Sequence, residues 1–262
     1  MKCIKATFPE SWETVNIYPL ADLHIGDVHC DLKAVYDQID KIKNDPYGLV
    51  ILNGDLLNTA LRNSVSDVYG DTMKPVDQIV ELVTLLTPIK DKIIACTIGN
   101  HEARVYRNDG IDIMRLACRE LEIEDKYQPE GVLIFLRFGL SDDGHRPKGE
   151  VRHRLFTIYA THGSGGGRKE GAKAMRLADL ASIVDADIYI RSHVHMPLVM
   201  RESFYRTNSG NSSVKLVDKL FVNTAATLDY GGYGQQQEYK PASTKTPIIR
   251  LHASNGRMET IF

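Results

Sequence analysis

The chain has 262 residues, of which 43% are hydrophobic and 25% are charged, and 32 basic against 34 acidic side chains give a net charge of −2. This is the composition of a globular protein, and it excludes a disordered or collagen-like chain. The charge balance disfavours a chain-wide basic surface for duplex DNA, and every apolar run is too short to span a bilayer.

The first half of the chain alternates predicted strands with predicted helices. Asp31 is a suitable N-cap for the first helix, and Pro75 suits the first turn of the second. The order β-α-β-α-β-α indicates a sheet with parallel strands and crossover helices. Strands are predicted at 15–21, 48–52 and 93–98, and helices at 31–43, 75–86 and 111–121.

The second half changes to mostly antiparallel β structure. Strands predicted at 131–140 and 151–159 flank the polar segment 141–150, a pattern typical of a long hairpin. Because no linker separates the two halves, residues 1–262 are predicted to form a single domain. The remaining predictions are a helix at 172–184 and strands at 188–190, 198–200, 214–217, 221–223 and 248–251.

The cysteines and the N-terminal segment indicate a cellular compartment. Four cysteines are scattered along the chain without a Cys-x-x-Cys pair, which favours reduced thiols over a disulfide framework. The first residues lack the long apolar core of a signal peptide. Both features predict a cytoplasmic protein.

Five short polar motifs each follow a predicted strand directly. Ligands of open α/β sheets bind in the crevice at the carboxyl ends of the strands, so these motifs are expected to face one crevice. Each motif alone is common, and the signal is their ordered conjunction. The motifs are Asp22-Leu-His24, Gly54-Asp55, Gly99-Asn100-His101-Glu102, His162-Gly163 and His193-Val-His195.

The side chains of these motifs are suitable ligands for two metal ions. Carboxylate, imidazole and amide carbonyl groups suit Mn²⁺, Fe, Zn²⁺, Co²⁺ or Ni²⁺, and no thiolate is among them. Residues two apart on an extended segment lie on the same side, so Asp22 and His24 can reach one ion together. His193 and His195 have the same spacing and either share an ion or divide between two. A bridging carboxylate holds two cations about 3.5–4 Å apart, the separation used in phosphoryl chemistry.

This ordered set resembles the signature of the calcineurin-like metallophosphoesterase superfamily, which reads Asp-x-His, Gly-Asp, Gly-Asn-His-Asp/Glu, His and Gly-His-x-His. The resemblance spans residues 22–195 and departs at Ser192, where the superfamily usually has glycine. It implies an α/β fold, namely a four-layer α/β/β/α sandwich with two central mixed sheets. The glycine-rich run after His162 also resembles sequences of phage- or prophage-encoded members.

The resemblance also implies a dinuclear centre, with Mn²⁺ the expected metal, and a role for each motif residue. In the mechanism that it implies, a metal-bound hydroxide attacks phosphorus in line. His101 would not bind metal but would face the scissile phosphate as general acid or as stabiliser of the leaving oxygen. The implied ligands are Asp22, His24 and His195 for one ion, Asn100, His162 and His193 for the other, and Asp55 as the bridge.

The substrate is less closely defined by the sequence. The Asp-Arg-Gly that follows the second motif in protein Ser/Thr phosphatases of the superfamily is absent, which favours a phosphodiester of nucleotide or nucleic-acid type. The alternatives are a phosphomonoesterase or phosphoprotein phosphatase, and a non-catalytic metal-bound scaffold.

Several residues near the motifs are candidate substrate contacts. Arg62, Arg104 and Arg168 are predicted to bind phosphate, because the guanidinium fork donates two hydrogen bonds. The glycine-rich run 163–167 is either an anion-binding nest or a flexible loop. Residues 230–234, with two tyrosines among glycines, form either a base-stacking surface or an ordinary turn.

Overall fold

The fold is built on two β-sheets, which the computed structural model describes within residues 2–9, 11–62, 64, 68–140 and 154–262. The predicted turn 141–150, and residues 151–153 of the strand predicted next to it, lie outside the described residues. The strands are β1 (Lys2–Pro9), β2 (Thr14–Leu20), β3 (Gly48–Asn53), β4 (Ile93–Thr97), β5 (Val132–Leu140), β6 (Arg154–Thr161), β7 (Ile188–Arg191), β8 (Leu198–Asn208), β9 (Ser213–Asn223), β10 (Ile248–His252) and β11 (Met258–Ile261).

Both sheets are mixed, as predicted. The five-stranded sheet has the order β11-β10-β2-β3-β4, and the six-stranded sheet has the order β1-β5-β6-β7-β9-β8. β2, β3 and β4 run parallel in the first sheet, and β6, β7 and β9 run parallel in the second. Parallel neighbours end at the same edge of a sheet, so each sheet brings several strand ends together.

The helices begin and end with local signals that the sequence carries. Asp31 caps α1 by accepting a hydrogen bond from the backbone N–H of Ala34 at 2.9 Å, and Pro75 begins α2. None of the helices in the described part of the chain reaches the length and hydropathy that a bilayer crossing needs. The α-helices are α1 (Leu32–Asn44), α2 (Pro75–Leu86), α3 (Asn100–Asp109), α4 (Ile113–Glu120), α5 (Glu170–Ala178) and α6 (Gly232–Gln236).

Three hydrophobic clusters stack these elements into four layers. One cluster joins the inner faces of the two sheets, with Ile17 and Ile51 from one sheet and Ile158 from the other. A second packs α1, α2 and α4 on the outer face of the five-stranded sheet, and a third packs α5 on the outer face of the six-stranded sheet around Leu177 and Tyr189. The predicted α/β/β/α sandwich is therefore confirmed.

Several predicted boundaries in the six-stranded sheet were wrong. The strands predicted at 214–217 and 221–223 are one strand, β9, paired with β8 along its whole length. The charged pair between them stays extended because Asp218 accepts a hydrogen bond from Ser203 at 2.7 Å and buried Lys219 reaches Asp185 at 2.7 Å. β8 likewise continues to Asn208, well beyond the predicted 198–200.

The helix predictions also need correction. The helix predicted at 172–184 begins earlier, with Glu170 in its first turn, where a negative charge is favourable, and it becomes a 3₁₀ helix over Asp179–Ser182. The helix predicted at 111–121 begins at Ile113. Sequence reasoning missed α3 because it is a polar helix, and it missed β11 because it is a short edge strand. It also missed β1, although Ile4, Ala6 and Phe8 alternate with polar residues there.

Candidate metal centre

The candidate metal centre lies where the carboxyl ends of strands from both sheets meet. Backbone hydrogen bonds join the loops that leave these strands, from Asp22 N–H to Gly54 O at 3.0 Å and from His24 N–H to Asp55 O at 3.1 Å. In the other sheet, Ser192 N–H donates to His162 O at 3.1 Å. The loops that carry the five motifs therefore come together at one end of the two sheets, as the sequence predicted.

Asp22, His24 and His195 form the first group of potential metal donors. One donor atom from each lies within 4.8 Å of the others. The Nε2 atoms of the two histidines are 3.1 Å apart, and Nε2 of His195 is 3.4 Å from Oδ1 of Asp22. Asp22 and His24 are nearly fully buried, whereas the His195 side chain is 38% exposed, so this group reaches from the interior to the surface.

Asp55, His162 and His193 form the second group, within the same 4.8 Å limit. Nε2 of His162 lies 3.1 Å from Oδ2 of Asp55, and the two imidazole rings are 5.3 Å apart between centroids. Asp55 also belongs to a third group with His24 and His101. Its carboxylate therefore lies between the two predicted metal positions.

Asn100, at the start of α3, presents an amide oxygen with no partner among the described residues. This Oδ1 atom is buried and accepts no hydrogen bond there. A buried polar oxygen left without a partner costs free energy, and a metal ion at the centre would satisfy it. This atom and the convergent imidazoles and carboxylates are the observations that fit a dinuclear centre.

Backbone carbonyls fix the orientation of two of the imidazoles. Nδ1 of His162 contacts the carbonyl oxygen of Asn53 at 2.8 Å, and Nδ1 of His101 contacts the carbonyl oxygen of Asn58 at 2.8 Å. Because a carbonyl oxygen can only accept a hydrogen bond, Nδ1 carries the proton in each ring, and the Nε2 atom is left facing the centre. Nε2 of His101 lies 3.9 Å from Oδ2 of Asp55.

The protonation of the histidines divides them into two kinds. Burial lowers the pKa of His24, with neighbouring His101 adding to the effect, and burial lowers the pKa of His193 to about 4. Burial also acts against a charge on His162, but the Asp55 carboxylate raises its pKa to about 9. Asp22 raises the pKa of His195 in the same way, again against burial. Metal binding would replace protons on this second pair.

The carboxylate of Glu102 supports the bridge position, and sequence reasoning gave it no role. It accepts hydrogen bonds from the backbone N–H groups of Asp55 at 3.1 Å, Leu56 at 2.6 Å, Leu57 at 3.0 Å and Gly99 at 2.9 Å. Burial raises its pKa to about 7, and the N–H groups of Leu57 and Gly99 oppose that shift. The three N–H groups that begin the loop with Asp55 therefore all donate to one buried side chain.

Of the three arginines predicted to bind phosphate, Arg104, on α3, is near enough to Asp55 and Glu102 for their charges to affect its pKa. Burial lowers its pKa, while the charges of Asp55 and Glu102 raise it. Arg62 is exposed in the segment that connects β3 with α2. Arg168 is exposed and lies over the ring of Tyr239, 5.6 Å from its centroid.

The two glycine-containing segments have different structures. Gly163 and Gly165 adopt φ values of +87° and +79°, which favour glycine, and the loop continues to the start of α5. Residues 230–234 lead into the single turn of α6. The Tyr230 hydroxyl donates to the carbonyl oxygen of Tyr239 at 2.7 Å, so this tyrosine takes part in a local contact.

The chain is similar to a known protein family and to a solved structure. Residues 23–197 match a model of a protein family described as calcineurin-like phosphoesterase. A solved structure with a similar chain is that of a conserved uncharacterized protein, a predicted phosphoesterase, from Streptococcus pneumoniae TIGR4. It is 15% identical, with 95% of this chain and 97% of that chain covered and a TM-score of 0.36. No curated protein matches the sequence significantly.

Proposed function

Because the family match covers most of the chain, this protein belongs to the calcineurin-like phosphoesterases, and from that premise we propose that it is a dinuclear metal-dependent phosphodiesterase. The family predicted from the motifs is confirmed, and so is the prediction that the protein is a hydrolase acting on phosphoric ester bonds. The proposed substrate is a phosphodiester of nucleotide or nucleic-acid type. We also propose that residues 1–262 form one domain, since one core joins both sheets.

The observation that carries the proposal is that the Asp55 carboxylate is shared between donor groups and also lies next to His101. We assign Asp55 as the bridge between two divalent ions, with Mn²⁺ the expected metal and Fe, Zn²⁺, Co²⁺ and Ni²⁺ as alternatives that the same donors suit. The other proposed ligands are Asp22, His24 and His195 at one position and Asn100, His162 and His193 at the other.

Bound ions would supply a water of lowered pKa as the nucleophile and would bind the phosphoryl oxygens. His101 provides the proton transfer. Its Nδ1 contacts the carbonyl oxygen of Asn58, so Nε2 is the atom that holds or releases a proton at the centre. Burial lowers the pKa of His101, and an anionic phosphate placed against Nε2 would raise it again. Protonated His101 would then donate to the leaving oxygen.

Arg104 is the proposed phosphate contact best supported by position, since its charge acts on His101 and on Asp55. Arg62 and Arg168 stay predictions. The cytoplasmic location stays a prediction as well.

The test is an assay of metal-stripped protein with Mn²⁺ added back, comparing bis-p-nitrophenyl phosphate with p-nitrophenyl phosphate. We expect faster hydrolysis of the diester, and its loss in His101→Ala and Asp55→Asn. His252→Ala is the matched control, because His252 lies on β10 beside Glu259 and outside the donor groups. Unchanged hydrolysis in His101→Ala would refute the proton-transfer role.

Other outcomes would overturn the proposed substrate or the proposed activity. A preference for the monoester would indicate a phosphomonoesterase. Metal-loaded protein that hydrolyses neither ester, nor a panel of nucleotides and single-stranded oligonucleotides, would indicate a scaffold that binds metal without catalysis.

A further inference from the structure

Two arginines converge on one carbonyl oxygen beside the candidate metal centre. Arg191 is the last residue of β7, and its Nη2 donates to the carbonyl oxygen of Ser164 at 2.8 Å. Arg176, on α5, donates from Nη1 to the same oxygen at 3.0 Å. Two positive guanidinium groups are therefore held close together by a single neutral acceptor.

No carboxylate among the described residues forms an ion pair with either guanidinium. Arg191 is 3% exposed, and its buried Nη1 has no hydrogen-bond partner in that part of the chain. Asp22 is near enough to act on Arg191 electrostatically, but the hydrogen bonds of its carboxylate are with other groups. Arg206, by contrast, pairs with both Asp185 and Asp187 at 3.0 Å. A buried guanidinium without a paired anion is costly, which points to an anionic partner outside the chain.

The glycine-rich loop lies directly on this arginine pair. A Cβ atom at Gly163 would come within 2.7 Å of Nε of Arg191, and a Cβ atom at Gly165 would overlap Nη1 of Arg176. Both glycines also have left-handed φ values. Space is open around Gly166, where an added Cβ would have no neighbour within 4 Å. The glycines thus let the loop backbone approach two cations and leave its outer side free.

Arg191 and the loop that lies on the arginine pair are each adjacent in the chain to a proposed metal ligand. Gly163 directly follows His162, and Arg191 lies two residues before His193. Lys173, one turn of α5 before Arg176, donates to the carbonyl oxygen of Val194 at 3.1 Å. The side of the centre that faces α5 therefore carries three cationic groups next to the loops that hold the metal ligands.

We propose that Arg176 and Arg191 bind a second phosphate group of the substrate, next to the phosphoryl group that reacts at the metal centre. Guanidinium groups suit this ligand because their planar fork forms two charge-assisted hydrogen bonds with phosphate oxygens. The inference rests on the proposed function and narrows it to substrates with at least two phosphates. A neighbouring phosphate of a nucleotide strand and the terminal phosphate of a nucleoside diphosphate share this chemistry, and the test distinguishes them.

The kinetic test uses Mn²⁺-loaded protein and substrates that differ by one phosphate. The dinucleotide dTpdT has only the scissile phosphodiester, pdTpdT and dTpdTp add a phosphate at one end, and thymidine diphosphate carries two phosphates in series. We expect one two-phosphate substrate to have the lowest KM. Arg176→Gln should raise that KM roughly tenfold to a hundredfold, the effect of a lost charge-assisted hydrogen bond, with little change in kcat.

Control variants separate this role from a structural one. Arg176→Lys should have a KM for the two-phosphate substrate between those of wild type and Arg176→Gln, because it keeps the charge. Arg257→Gln, at a surface pair with Glu259, should have the wild-type KM. Hydrolysis of bis-p-nitrophenyl phosphate, which has a single phosphate, should be the same in Arg257→Gln and wild type. The role of Arg191 in phosphate binding is tested with Arg191→Lys, which keeps the charge, because Arg191 is buried and a neutral replacement could disturb the fold.

A binding measurement keeps the outcome independent of turnover. Calorimetry on Mn²⁺-loaded His101→Ala gives the ratio of dissociation constants for dTpdT and the preferred two-phosphate compound, and Arg176→Gln in that background should bring the ratio close to one. A ratio near one already in the parent protein, or a ratio unaffected by Arg176→Gln, would overturn the subsite. Absence of diester hydrolysis would instead overturn the proposed function, while the ratio would still decide for or against the subsite.

Discussion

Glu102→Gln is expected to destabilise the fold and to disturb the metal centre together. The side chain is 2% exposed, and each of its two carboxylate oxygens accepts two backbone hydrogen bonds. Oε2 accepts from the N–H groups of Asp55 and Gly99, and Oε1 accepts from those of Leu56 and Leu57. Glutamine has the same shape but keeps only one acceptor oxygen.

The size of the effect follows from this geometry. In either orientation of the amide, two backbone N–H groups would face an NH₂ donor instead of an oxygen. Each buried donor left without a partner costs about 1–3 kcal/mol, so Glu102→Gln should lower the free energy of unfolding by roughly 2–6 kcal/mol. The loop that carries Asp55 would lose its anchor, and we therefore expect weaker Mn²⁺ binding in the same variant.

Urea denaturation measures the first effect and Mn²⁺ calorimetry the second. Glu120→Gln is the matched control, because Glu120 is exposed at the end of α4 and its replacement removes one negative charge without a buried partner. If Glu102→Gln unfolded at the same urea concentration as Glu120→Gln and bound Mn²⁺ as the wild type does, the reasoning from the four hydrogen bonds would be refuted.

Three further variants test other parts of the fold. Asp45→Asn should reduce stability near neutral pH, because hydrogen bonds from Asn16 and Tyr18 hold the pKa of Asp45 below its usual value despite burial. The difference from wild type, measured by denaturation across pH, should persist above pH about 4 and disappear as the pH falls through the lowered pKa. Tyr189→Phe should cost roughly 2–4 kcal/mol in thermal or urea unfolding, since the hydroxyl contacts Ala186 N–H, Val184 O and Lys219. Gly99→Ala should abolish tight Mn²⁺ binding in calorimetry, because its methyl group would overlap the Asp55 carboxylate.

Each of these variants has an outcome that contradicts its argument. A constant stability difference between Asp45→Asn and wild type from pH 7 to about pH 2 would show that the carboxylate charge is irrelevant. If Tyr189→Phe unfolded like the wild type, the three groups that contact the hydroxyl would not depend on it for hydrogen bonding. Gly171→Ala is the control for Gly99→Ala, because an added Cβ there meets nothing within 4 Å, and equal Mn²⁺ binding by the two variants would exclude the steric argument.

The sequence predicted the strand–helix alternation of the first half and the place of the site because both depend on short-range patterns, whereas the four-layer sandwich was implied by the family resemblance. β3 reads as a run of apolar residues followed at once by Gly54 and Asp55, and that order alone puts a carboxylate at a strand end. The same pattern occurs at β2, β4, β6 and β7. Once the strands are assigned to parallel sheets, the meeting of their polar ends follows from topology.

The sequence did not predict the groups that support the site, because their partners are distant along the chain. Arg191 ends the apolar strand β7 and gave no signal, since its contact with Ser164 depends on the pairing of β6 with β7. Glu102 was recognised as part of a motif, but the N–H groups it accepts from become neighbours only when β3 and β4 pair. Arg168, which follows the glycine run directly, instead lies over Tyr239.

Backbone strain at the centre explains why these residue types occur there. Asp22, His24, Asp55, His193 and His195 all adopt left-handed conformations, with φ between 50° and 73°. Such a conformation costs about 1–2 kcal/mol for an ordinary L-residue, but aspartate and histidine are found in it more often than other residues. The residue types that donate to metals are thus also the ones best able to hold this turn at a strand end. Backbone hydrogen bonds between neighbouring loops fix the turns, so the fold itself, and not a bound ion alone, holds the donors in convergence.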